Sequence, residues 1–132
     1  MLKKKLGIEG IERDHDWGSI NVTALKLLYK IPSTLVIPDG CEKIGSWSFE
    51  MCPWLKKVTI PESVKIIGTG AFWDCERLKK VIIPESVEVI KRDAFCYCSR
   101  ATIILKKAES EFKEIGKDAF RECKDVKEEI RN

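Results

Sequence analysis

The 132-residue chain contains a single histidine. His15 stands between Asp14 and Asp16, a carboxylate–imidazole–carboxylate run that can bind a metal or act as a base. No serine or cysteine can be placed beside it from sequence, so a solvent-exposed turn or helix start is the favoured reading. The chain has no glycine-rich phosphate loop either. Glu62 and Glu85 could be offered as an acid–base pair, but they form a row with Asp39 along the chain, and a surface row is the ordinary reading. We therefore expect no enzyme activity, and assign no catalytic residue, no metal site and no cofactor.

Long apolar runs are missing too, and none approaches the roughly 18 residues of a membrane span. The basic start "MLKKKLGIEGIERDHDWGS" has no apolar region behind it, which is not the pattern of a signal peptide. On that basis the chain is expected to be cytoplasmic. Charge of one sign is scarce: the net charge is +3, too small to mark a nucleic-acid or membrane binder by itself. What remains, 44% hydrophobic and 34% charged residues, describes one folded, soluble domain.

What the chain has in abundance is itself. "IPDGCEKIGSWSFEMCPWLKKVT" begins at Ile37, "IPESVKIIGTGAFWDCERLKKVI" at Ile60 and "IPESVEVIKRDAFCYCSRATIIL" at Ile83, a period of 23. After a two-residue insertion the pattern resumes as "FKEIGKDAFRECKDVKEEI". Phe49, Phe72, Phe95 and Phe120 are equivalent; so are Cys52, Cys75, Cys98 and Cys123, and Ile44, Ile67, Ile90 and Ile115. One such unit is too short to bury its own apolar face, so neighbours must stack and share a core.

Each unit reads L-x-x-V-x-I-P, S-V-x-x-I-G, A-F-x-x-C, which resembles the leucine-rich repeat family in its BspA-type form over about Leu35 to Ile130. The resemblance implies an α/β-type repeat solenoid: a short stack with a parallel β-sheet on its concave face and few regular helices. Residues 1–34 are expected to form an N-terminal cap leading into the first strand, with Leu25, Leu28 and Trp17 facing inward. Residues 35–132 form the solenoid, with repeats 37–59, 60–82, 83–107 and 108–132. Val64, Ile67, Ala71 and Phe72 should fill the coil interior, and Gly68 should allow the tight path between them.

Four equivalent cysteines at a strand spacing of about 4.8 Å form a line, not the tetrahedron zinc needs. That spacing also exceeds the Cβ separation of about 3.5–4.5 Å that a disulfide prefers. A ladder of reduced, buried thiols is expected. Cys96 matches Glu50, Trp73 and Arg121 and should be exposed, whereas Cys41 matches Val64 and Val87 and should be a small core residue.

Binding is the remaining function. Lys57, Thr59, Lys80 and Ile82 occupy outward strand positions, with Thr34 and Val36 as their counterparts in the first strand. Lys56 and Lys79 extend a basic row, and Asp39, Glu62 and Glu85 an acidic one. Trp54 and Trp73 fall at variable positions and are expected to flank the sheet as exposed anchors. The predicted partner site is thus Lys56, Lys57, Thr59, Lys79, Lys80, Ile82, Trp54 and Trp73. The partner is expected to be a protein of unknown identity; nucleic acid is not favoured because an acidic row adjoins the basic one. A non-enzymatic adaptor or inhibitor is the first reading. The alternatives are a phage- or mobile-element-encoded inhibitor of a host or defence enzyme, including a nucleic-acid-targeting nuclease, and a bacterial surface adhesion fragment, as the resembled family implies. A metal enzyme built on the cap is a distant rival.

Overall fold

The computed structural model describes residues 33–130. The expected cap, with Trp17, Leu25, Leu28 and His15, lies outside the described residues. Over the described residues the chain winds as a solenoid of parallel strands with almost no helix. Five strands form one sheet: β1 (Thr34–Val36), β3 (Lys57–Thr59), β5 (Lys80–Ile83), β7 (Thr102–Leu105) and β9 (Asp125–Glu128), in that spatial order. Four two-residue strands form the other: β2 (Lys43–Ile44), β4 (Ile66–Ile67), β6 (Val89–Ile90) and β8 (Glu114–Ile115).

Alternation decides which way each strand faces. In β1, β3 and β5 the central Leu35, Val58 and Val81 are buried, while Thr34, Val36, Lys57, Thr59, Lys80 and Ile82 are exposed. The interior is built from repeated residues: Val64, Ile67, Ala71 and Phe72 are each 0% exposed, as expected. The Phe49, Phe72, Phe95 and Phe120 rings stack along the axis at 5.4, 5.1 and 6.1 Å between centroids. At Gly68 a Cβ would lie 2.7 Å from the Ile44 carbonyl oxygen and the Ser46 amide nitrogen, so no larger residue fits without moving backbone.

Coils are joined by backbone hydrogen bonds made at alternate residues of the turn opposite the sheets. The amides of Trp47, Phe49 and Met51 donate to the carbonyls of Thr69, Ala71 and Trp73. Those of Gly70, Phe72 and Asp74 donate to Arg92, Ala94 and Cys96, one coil further on. The chain enters the left-handed region on both sides of the phenylalanine, at residues whose amides make these bonds. Trp47, Gly70, Asp93 and Asp118 have φ of 58–60°, and Met51, Asp74, Tyr97 and Glu122 have φ of 52–64°.

Side chains reinforce this ladder. The thiols of Cys75, Cys98 and Cys123 donate to the carbonyls of Phe49, Phe72 and Phe95 at 3.1, 3.1 and 3.2 Å. The cysteine row is therefore a hydrogen-bonded ladder of free thiols. At another corner Ser63 Oγ donates to the Cys41 carbonyl at 2.8 Å, and Ser86 Oγ to the Val64 carbonyl at 3.0 Å.

Three expectations need correction. The irregular third coil is not a simple two-residue insertion. Ile83 pairs with Leu105, one residue short of the period, whereas Ile90 pairs with Ile115, two residues beyond it. One residue is therefore lost before β7 and three are gained between β7 and β8, where Glu109–Glu111 form a single 3-10 turn. Cys96 is 3% exposed, because its short side chain lies between the coils bearing Trp73 and Arg121 at the same position. Trp54 is 6% exposed and belongs to the core cluster, although Arg77 and Arg100 at the equivalent positions are exposed. A repeat position that changes residue type can also change depth.

Two predictions follow from the stacked interior. Phe72→Ala removes the ring between two stacked neighbours and should cost about 3–5 kcal/mol in chemical denaturation. Adjacent coils should melt with it in one transition. The hydrogen bond with Cys98, then burial, hold the Cys123 thiol well above the ordinary thiol range. At Cys98 the bond with Cys123 pulls down, but the bond with Cys75 and burial outweigh it, so that thiol is also raised. Such groups contribute stability that is fully present below the unfolded thiol pKa of about 8.5 and is lost as pH rises above it. Unfolding free energy should therefore fall between pH 8 and pH 10. The fall should be shallower in Cys98→Ser/Cys123→Ser, whose hydroxyls can donate the same bonds without ionising.

Candidate functional site

The outer face of the five-stranded sheet gathers six of the eight residues expected to bind a partner. Lys56, Lys57, Thr59, Lys79, Lys80 and Ile82 line one groove of about 580 Å³ together with Val58 and Ile60. Strand register sets their order. Thr34, Lys57, Lys80, Thr102 and Asp125 form one row across the sheet, and Val36, Thr59, Ile82, Ile104 and Lys127 the next. This settles the register of Ala101–Leu105, in which Thr102 and Ile104 point outward and Ile103 inward.

A second groove of about 600 Å³ shares Lys79 and Lys80 with the first and continues past Arg100, Thr102 and Ile104 to Lys124 and Lys127. Ile104 faces outward yet is 4% exposed, so it forms floor rather than rim. Lys124 and Lys127 were missed because the shifted coil hides their alignment with the earlier strands; Arg100, which keeps the 23-residue step from Arg77, was legible from spacing and was missed as well. At the far end of the strands Glu62, Glu85, Glu128 and Glu129 line an acidic hollow with Lys106 and Ile130. Lys107 Nζ donates to the Glu85 carbonyl there at 3.0 Å.

The two remaining residues lie elsewhere. Trp54 is in the core. Trp73 lies on the turn side, in an edge-to-face row with Trp47 at 6.3 Å and Tyr97 at 5.9 Å, with Arg121 over Tyr97. The Trp47 ring lies against Gly70, where a Cβ would approach it to 2.2 Å. Trp47 and Tyr97 are 37% and 38% exposed, so this row forms a second, separate surface.

Burial, then the charge of Asp93, raises the Cys96 thiol above its ordinary range, the opposite of an activated nucleophile. Among the described residues no three His, Cys, Asp or Glu side chains cluster as metal ligands, and no helix is long and apolar enough to cross a membrane.

A stack of parallel strands with a repeating Leu/Ile/Val, Phe and Cys interior and a variable outer face is a leucine-rich-repeat solenoid. The family model "BspA type leucine rich repeat region" matches residues 11–130 in six copies, and the chain belongs to that family. The match reaches into the segment expected to be a cap. A search of curated proteins found no match. Among solved structures, a leucine-rich repeat protein from Bacteroides ovatus ATCC 8483 aligns at 24% identity and a TM-score of 0.62, over 70% of this chain and 24% of its own. A leucine rich cell surface protein from Faecalibacterium prausnitzii A2-165 aligns at 21% identity and a TM-score of 0.59, over 73% of this chain and 32% of its own. The chain thus spans about a quarter to a third of these neighbours.

These findings overturn the cytoplasmic expectation. BspA-type proteins are typically cell-surface or secreted, and the Faecalibacterium neighbour is described as a cell surface protein. The expectation rested on the lack of an apolar leader in the first residues, which does not decide location. Proteins of this repeat class generally bind other proteins and are generally non-enzymatic.

The contact between Trp47 and Gly70 gives a local test of packing. Gly70→Asp should destabilise the protein by about 1–3 kcal/mol, the range for overpacking. Most of that loss should vanish in Trp47→Asp, since Asp93 and Asp118 hold the same backbone conformation in later coils. A double-mutant cycle in denaturant measures the coupling.

Proposed function

We propose that the chain is a non-enzymatic protein-binding module of a cell-surface or secreted protein, and that it contacts its partner through the outer face of the five-stranded sheet. The observation that carries this reading is the division of roles along each strand. Inward positions repeat Leu35, Val58, Val81 and Ile103, while outward positions hold Val36 and Ile82, 61% and 44% exposed, among exposed lysines. Exposed aliphatic residues on a sheet face favour a protein partner over water. The family and the cell-surface neighbour support the location, and an adaptor or inhibitor role fits a module that binds without reacting.

Charge reversal on the face tests the proposal. The native chain and a Lys57→Glu/Lys80→Glu variant are immobilised and exposed to the same extracellular and membrane protein extracts, and captured proteins are compared by mass spectrometry. Proteins held by the native chain should be lost from the variant, with at least a tenfold loss of affinity on purified material. Melting temperature should stay within a few degrees, because both side chains are exposed. Trp73→Ala, on the separate aromatic surface, should capture the same proteins as the native chain.

A further inference from the structure

The outer sheet face carries charges that the fold does not need. Lys56, Lys57, Lys79, Lys80, Arg100 and Lys124 line the two connected grooves and are exposed. None of these six forms an ion pair among the described residues, whereas Lys91, Lys106 and Lys113 elsewhere each bridge to a glutamate; in the second groove Lys127 is paired with Asp125 at 3.9 Å, and Glu129, the partner of Lys106, also lines it. Lys57 and Lys80 are register partners, so two like charges sit side by side at a strand spacing of about 4.8 Å. Like charges paired across strands destabilise the isolated protein.

Beside the cations runs the row Val36, Thr59, Ile82, Ile104 and Lys127, in which Ile82 and Ile104 are adjacent aliphatic residues. Beyond it stand the exposed carboxylates of Asp39, Glu62 and Glu85. Along β5 the face runs cation, cation, aliphatic, carboxylate, as Lys79, Lys80, Ile82 and Glu85; on β3 Thr59 takes the aliphatic place, and on β9 Asp125 and Lys127 stand in the same two rows. A nucleic acid or sulfated sugar would neutralise the lysines, but it would set a polar ligand over the aliphatic pair and anions near the carboxylates. An acidic protein segment with an apolar side chain meets both the cations and the aliphatic pair, and its less acidic side can face the carboxylates.

We infer that this face binds an acidic protein segment, with carboxylates over the lysine rows and an aliphatic side chain seated on Ile82 and Ile104. The inference rests on the reading of this face as the partner-binding one. The lysines speed association and make it salt-sensitive, and the aliphatic contact slows release.

Random 16-residue peptides displayed on phage are selected on the full chain, then measured as synthetic peptides against the native chain and two variants, Lys57→Glu/Lys80→Glu and Ile82→Asp. Heparin and a thymidine oligonucleotide are measured alongside. Selected peptides should be enriched in Asp and Glu with Leu, Ile or Val among them, should bind each variant roughly tenfold more weakly or worse, and should weaken as salt rises from 50 to 500 mM. Peptides that need Lys57 and Lys80 but show no acidic enrichment would overturn the inference and leave the face standing. Peptides that bind the charge-reversed variant equally would overturn both. Tighter binding of heparin or the oligonucleotide than of any peptide, or no binding by any probe, would also overturn the inference.

Discussion

Everything in this molecule depends on the hydrogen bonds that tie each coil to the next. Trp47, Phe49 and Met51 reach Thr69, Ala71 and Trp73 through their amides, and the same step recurs at Gly70, Phe72 and Asp74. In this turn the residues two before and two after the phenylalanine hold positive φ while their amides make these bonds, and the phenylalanine between them is buried. A stacked ring row and a buried thiol row follow from that geometry. The cysteine completes it: a small donor at the end of the turn can reach the preceding coil's Phe carbonyl, which a valine there could not do. The period of 23 is the length of chain that returns these groups to register.

The same constraint separates stability from recognition. Inward residues are fixed by neighbours on both sides, so they recur; outward residues contribute little to the stack and are free to vary. Hence one sheet can carry unpaired lysines and exposed aliphatics while the core beneath stays fully apolar. The two left-handed positions per coil show the same freedom differently. Their amides are committed to the next coil, but their side chains range from Gly70 to Asp93 to Trp47. The aromatic row of Trp47, Trp73 and Tyr97 is built at or beside these positions.

Much of the fold was legible because repetition reports burial directly. Phe72, Cys75 and Ile67 could be placed in the core, and Lys57, Thr59, Lys80 and Ile82 on the outer sheet face, from equivalence and alternation alone. Legibility failed where one coil departs from the others. Trp54 stands where arginines stand elsewhere, yet its indole is drawn into the core, a choice of depth that pattern does not encode. Cys96 aligned with large surface residues and is buried because they are large. The third coil hid a deletion and an insertion that partly cancel in length, so the groove beyond Lys80, with Lys124 and Lys127, could not be aligned. The partner itself is written in no repeat, since it is recognised by the positions where the repeats differ.

Coil-to-coil bonding also gives the solenoid a mechanical character. Ser33 and Ile130 lie at opposite ends of the described stack, so tension applied between them pulls along the axis, in line with the bonds that join successive strands. Bonds loaded this way open a coil at a time rather than all at once. Each released coil of 23 residues pays out about 76–83 Å of chain at full extension. A module of this build under force would lengthen in discrete steps, with the remaining coils still stacked and still presenting their part of the sheet.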